Sequence, residues 1–303
     1  LYGAYSREGY AFTVKIALLL ITLFAGACTS PNGARPHAVQ RSAAPSPLPA
    51  RIFPGHRVVA YYGAAGVSDM GVLGSAPPAA VLPKLLRQAN AYTKFGMPVI
   101  PAFELIAVVA QRAPGANSDY SAPIETATVQ RYLDVIRRAH GLLIIDVQPG
   151  RAPFLPYVKR YESFLRQPDV SLALDSEWSM GPGEVPGDVI GGTNGTTVNA
   201  VSRYLSDLVG RYRLPQKLLI VHQFTSDMIE DRDAVQMRHN LAIVFHVDGF
   251  GTRAGKLSKY RLLSQDRHGA FIGIKLFYTQ DIDMLTPSDV MRLSPRPDLI
   301  TYQ

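Results

Sequence analysis

Short apolar runs with strand character alternate with longer stretches of helical spacing from residue 57 to residue 302, and this alternation constrains the fold more than any other feature. The strand-like runs are 57–62, 98–105, 141–147, 170–178, 217–224, 241–247, 270–278 and 298–302. Helical spacing appears at 79–95, with Leu82, Leu85, Leu86 and Ala89 on one face, at 128–139, and at 154–165. The cleanest stripe is Val198, Val201, Leu205, Leu208, Val209 and Tyr212, after a Gly- and Pro-rich loop over 179–195. Thr286-Pro287-Ser288-Asp289 is a helix start, with a Thr cap, Pro at the first position and Asp in the first turn. Eight strands with seven intervening segments favour a closed parallel sheet over an open one. Residues 51–303 span roughly the 250 usual for such a fold. The predicted class is α/β, a single (β/α)8 TIM barrel.

The fourth run leads into two carboxylates and the single tryptophan of the chain: Val170-Ser-Leu-Ala-Leu-Asp-Ser-Glu-Trp178. Side chains alternate across a strand, so Val170, Leu172 and Leu174 share one face and Ser171, Ala173, Asp175 and Glu177 the other. In a barrel the large residues meet the helices, and the small and acidic row lines the interior up to the mouth. Barrels place their chemistry at that C-terminal end. Other polar residues fall at or near strand C-termini as well: Tyr62, Glu104, Asp146, Gln148, His222, Gln223, His246, Asp248, Lys275, Tyr278 and Gln303. Any one of them could be a structural hydrogen-bonding partner. A whole ring of carboxylates, imidazoles and amides has no stability reason to exist.

Acids, amides and aromatic rings suit a carbohydrate, whose hydroxyls need donors and acceptors and whose apolar faces stack on rings such as Trp178, Tyr62, Phe277 or Tyr278. Glycoside hydrolysis needs a carboxyl held protonated as acid and usually a second as nucleophile, base or stabiliser. Residues i and i+2 on a strand are roughly 6–7 Å apart, close enough for one carboxylate to raise the other's pKa. Glu177 is the expected acid and Asp175 its orienting, pKa-setting partner. A metal-dependent hydrolase built on His222, His246, Asp248 and Asp146 is a weaker reading, for no His-x-His or His-Glu-x-x-His signature supports it. No metal and no cofactor is expected. The serious alternative is a barrel that binds carbohydrate without turning it over.

The Asp-x-Glu of Asp175 and Glu177 at the end of the fourth strand resembles two secreted barrel families, the family 18 chitinases and the family 25 lysozymes. Val58-Val-Ala-Tyr-Tyr-Gly63 is similar to the first strand of family 18. The resemblance implies Glu177 as acid and Asp175 as assisting carboxylate. The longer acidic run of family 18 is absent, since Ser171 and Ala173 hold the earlier inward positions. More extensively, Ile-Pro-Ala-Phe-Glu104, Asp-Val-Gln-Pro-Gly150, Leu-Asp-Ser-Glu-Trp178, Val-His-Gln-Phe224 and Asp-Gly-Phe-Gly251 resemble a group of actinobacterial lipoproteins with no established reaction.

The N-terminal stretch agrees with secretion. Lys15, an apolar run over 16–24 and small residues up to Cys28 form a signal peptide, too short for a lasting membrane span. It occupies 1–27, or starts at Val14 if that is the first codon. Cys28 resembles the lipidated cysteine of bacterial lipoproteins, although Ala25 stands where Leu is usual, and Ala25-Gly26-Ala27 also fits ordinary signal peptidase. Residues 28–50, rich in Ser, Pro, Ala and Arg, form a disordered tether. The barrel over 51–303 is expected at the outer face of the membrane, or secreted, with peptidoglycan or another polysaccharide as partner. Its oligomeric state is left open. A formal charge of +7 would attract anionic envelope polymers or headgroups, or reflects a basic proteome. No basic cluster interleaved with aromatics points to nucleic acid.

Overall fold

The computed structural model describes residues 48–303. Eight parallel strands follow one another around the sheet: β1 (Arg57–Gly63), β2 (Val99–Ala110), β3 (Leu142–Val147), β4 (Val170–Leu174), β5 (Lys217–Gln223), β6 (Leu241–Val247), β7 (Phe271–Leu276) and β8 (Leu299–Tyr302). β1 pairs with both β2 and β8, so the sheet closes into a barrel of the (β/α)8 class, in which a 3-10 turn (Arg232–Ala234) replaces the helix expected between β5 and β6. The helices are α1 (Pro78–Thr93), α2 (Thr126–Arg137), α3 (Phe154–Arg160), α4 (Glu162–Leu165), α5 (Gly195–Tyr212), α6 (Arg253–Leu263) and α7 (Pro287–Val290).

The period-two alternation partitions the core as expected. Outward residues such as Leu105, Ile145, Leu172 and Leu219 pack with Leu85, Ile136 and Leu205 of the helices in one continuous cluster. Inward residues Val58, Ala60, Ile100, Ala102, Leu142, Ile144, Ala173, Leu218, Ile220, Ala242, Val244 and Leu299 fill the lower barrel. Ile52 and Phe53 plug its N-terminal end, where both backbone amides donate to Gln216 Oε1 at 2.8 and 2.9 Å. Leu48 packs against the same plug, and Gln216 N donates to Ala50 O. The stretches expected to form a signal peptide and tether, with Cys28 between them, lie outside the described residues up to residue 47.

Several elements differ from the expectation. β2 runs on to Ala110 through the apolar Ile106-Ala-Val-Val-Ala110 and pairs antiparallel with a short strand, Ser121–Pro123. A register shift between Ile106 and Val108 re-aims its end. The third helix is broken at Tyr161, whose hydroxyl donates to Ala107 O at 2.6 Å. α6 was not visible in the pattern because two of its four buried side chains are lysines, Lys256 and Lys259. The Thr286 cap is present as a capping box with Asp289, on a helix of four residues.

At the base of β5, Lys217 is fully buried and donates to the carbonyls of Gln167 and Val170 at 2.7 and 2.6 Å. Burial, only partly opposed by Asp169, lowers its pKa from 10.5 to about 7. Between those values the unfolded state binds more protons than the folded one, so this group makes stability rise with pH across that window. Melting temperatures of the parent and Lys217→Met over pH 7–10 should show that rising component in the parent and its loss in the variant.

Candidate active site

Above the apolar layers the inward positions turn polar. Tyr62, Glu104, Asp146, Asp175, His222, His246, Asp248 and Lys275 come from seven strands or their C-terminal ends and are all almost wholly buried. Gly273, facing inward on β7, makes room for an imidazole: a Cβ there would stand 3.2 Å from two ring atoms of His246.

Two hydrogen-bonded networks result. In the first, Tyr62 Oη donates to Asp175 Oδ2 at 2.9 Å, and Gln148 Nε2 donates to the same oxygen at 3.1 Å. Gln148 is itself held by the Ala110 amide, which donates to its Oε1 at 3.1 Å, so the extended end of β2 orients it. In the second, His222 donates through Nδ1 to Asp248 Oδ2 at 2.8 Å and through Nε2 to Glu104 Oε1 at 3.0 Å. Thr301 Oγ1 donates to Glu104 Oε2, and Lys275 Nζ donates to Asp248 Oδ2 at 3.1 Å. The Lys275 ammonium also sits 3.4 Å from the centroid of the Tyr62 ring, joining the two networks.

These contacts push the ionisable groups apart. Burial lowers the His222 pKa, but Asp175 and the hydrogen bonds to Asp248 and Glu104 outweigh it and hold the imidazole well above its ordinary value. Burial raises Asp248, yet Lys275 and His222 more than reverse it. Burial and then the Asp175 charge push Asp146 well up, and neither of its oxygens has a hydrogen bond. His246 is driven down to about 3 by burial and by His222.

Glu177 reaches the site by a route the strand pattern did not show. β4 ends at Leu174, and Ser176–Trp178 form a 3-10 turn, so Glu177 is not beside Asp175 on a strand face. The turn leaves Glu177 half-buried at the rim, while Asp175 beneath it is 1% exposed. Burial, the Asp175 charge and then Asp248 raise the Glu177 pKa to about 8, against the opposing pull of Lys275 and His222. Two carboxyls thus couple electrostatically through a turn rather than along a strand.

Of the remaining sequence candidates, Trp178 and Phe277 adjoin residues of the site, whereas Gln223 and Tyr278 lie away from it. Trp178 is half-buried on the same turn as Glu177. Phe277 is buried, with the Lys256 and Lys275 ammonium groups 4.7 and 5.5 Å from its ring centroid. Gln223 follows the inward His222 on its strand and lines a separate cavity of about 540 Å³ with Ile229, Arg232 and Leu263. Tyr278 stacks on Tyr302 and donates to Tyr61 Oη, among aromatics whose other members belong to the outer cluster. Thr301 and Lys256 were missed. Thr301 could have been found from its parity on β8, level with Lys275. Lys256, which donates to Lys275 O at 2.7 Å and pairs with Asp281 at 2.8 Å, sits on the helix that the periodicity did not mark.

The fold and site together define a (β/α)8 barrel with a buried, charge-coupled polar ring under its C-terminal mouth. No protein family matches this chain, and no curated protein does. A solved structure, titled as a hyperthermophilic endo-beta-1,4-glucanase in complex with substrate, is similar with a TM-score of 0.36 and 10% identity, covering 70% of this chain and 79% of that chain. A likeness at that level describes neither substrate nor reaction for the present protein.

Proposed function

We propose that this barrel is a glycoside hydrolase acting on an envelope or environmental glycan, with Glu177 as general acid and Asp175 as the carboxylate that sets its proton affinity. The observation that carries the reading is the position of Glu177, half-buried at the C-terminal rim over a ring whose other carboxyls are sealed below it. A carboxyl that keeps its proton to about pH 8 can donate it to a leaving glycosidic oxygen at neutral pH. Asp175, gripped by Tyr62 and Gln148, acts on Glu177 through its charge and stays fixed while the proton moves. Trp178 offers a ring on the same turn for stacking.

The depth of Asp175 also supports a second reading, a barrel that binds glycan at its rim without cleaving it. The test is a screen of the purified chain against peptidoglycan, chitin oligomers and plant and bacterial polysaccharides, beside Glu177→Gln. New reducing ends from the parent alone support the enzyme. Equal binding by both with no cleavage by either supports the binder.

The proposal includes attachment to the outer face of the membrane through a lipid on Cys28. Among the described residues no helix is long and apolar enough to cross a membrane. Cells expressing the chain and fed an alkyne-tagged fatty acid should label the parent and not Cys28→Ala. Labelling of neither would leave the secreted form.

A further inference from the structure

We propose that Glu104, Asp146 and His222 form a binding site for one divalent transition-metal ion, Zn²⁺ or Mn²⁺, at the floor of the polar ring. The proposal is independent of the glycosidase reading. His222 Nε2 lies 3.0 Å from Glu104 Oε1 and 3.4 Å from Asp146 Oδ2, and one donor atom from each residue lies within 4.8 Å of the others. Donors about 2.1 Å from a shared ion are separated by roughly 3.0–3.4 Å at octahedral to tetrahedral angles. Replacing the Nε2 proton by an ion therefore asks for little movement of these two pairs.

Asp146 supplies the separate indication that something is bound. Its side chain is wholly buried and neither oxygen has a hydrogen-bond partner, although one of them faces His222 Nε2. Buried carboxyls are ordinarily paired, hydrogen-bonded or bound to metal. Asp175, Asp248 and Glu104 all accept hydrogen bonds, whereas Asp146 has only its 3.4 Å ion pair with His222, itself a member of the proposed donor set.

The surroundings have the form of an outer coordination shell. A metal-bound histidine usually donates its other ring N–H to a carboxylate, and a metal-bound carboxylate is usually hydrogen-bonded in turn. His222 Nδ1 donates to Asp248 Oδ2, which leaves Nε2 as the inner donor, and Thr301 holds the second oxygen of Glu104. One imidazole with two carboxylates suits Zn²⁺ or Mn²⁺ better than Ca²⁺ or Mg²⁺, which take oxygen donors. His246 neighbours His222 at 5.0 Å between ring centroids and stays outside the donor set.

The test strips the chain with EDTA, then offers Zn²⁺ or Mn²⁺ alone, both to the folded chain and during refolding, with Ca²⁺ and Mg²⁺ as controls. About one ion per chain should survive gel filtration, and the melting temperature should rise with Zn²⁺ or Mn²⁺. Asp146→Asn should weaken binding by about tenfold or more, while Glu177→Gln should bind as the parent does. Should Asp146→Asn fail to fold, X-ray absorption at the zinc edge of the parent decides the matter, with one imidazole and otherwise oxygen donors expected. No retained ion under either loading, equal retention by a folded Asp146→Asn, or a shell with two or more imidazoles would overturn the site.

Discussion

Glu177→Gln is expected to lower glycan cleavage by about 10²- to 10⁴-fold while leaving glycan binding near the parent's, because it removes the proton donor and keeps the shape. The amide cannot supply the leaving oxygen with a proton, and the ring below holds no exposed substitute. Asp146 also retains its proton strongly, but it is wholly buried. The pH profile carries the same information with a definite sign. Glu177 acts in its protonated form, so the parent's rate should hold on the acid side of about pH 8 and fall about tenfold per unit above it. The groups that set this limb are Asp175 and Asp248, which raise it, and Lys275 and His222, which lower it. Initial rates from pH 5 to 10 on any substrate found in the screen would show the limb. A rate that rises through pH 8 would assign Glu177 to the base instead.

Lys275→Met should be among the most destabilising single changes in the barrel. Lys275 is 3% exposed, donates to Asp248 at 3.1 Å and covers the face of Tyr62. Its charge also counters Glu104, Asp175 and Glu177. Removing one member of a buried pair leaves the other without compensation, which typically costs about 3–5 kcal/mol. Urea unfolding should show a lower midpoint with an unchanged slope. Adding Asp248→Asn to Lys275→Met should recover part of the loss, since the stranded carboxylate is then gone, although His222 exchanges a charged acceptor for a neutral one. A second reading of the same variant is kinetic: without the ammonium, the Glu177 limb should move to higher pH.

Much of the site could be read from parity along the strands. Ser171, Ala173 and Asp175 face inward and Val170, Leu172 and Leu174 face the helices, as a period of two requires. The same rule aligns Tyr62 above Ala60, Glu104 above Ala102, Asp146 above Ile144 and His222 above Ile220. It also carried the information that Gln223 and Tyr278 stand out of step with His222 and Lys275. Nearness to a strand end does not distinguish the two parities. Glu177 failed differently. Period two does not hold past Leu174, where the backbone turns and Ser176–Trp178 close on themselves with Trp178 N donating to Asp175 O.

Sequence alone thus determined the strand count, the strand faces and the identity of most polar side chains at the mouth, because these depend on neighbours one to four positions away. Tertiary structure decided which of those side chains meet. Glu104 bonds to His222 across 118 residues and Thr301 to Glu104 across 197, partnerships set by how the strands stagger when the barrel closes. The charge of each group follows from those partnerships. A carboxyl keeps or loses its proton according to the burial and charges around it, and only closure brings β2, β3, β5 and β7 to a common centre.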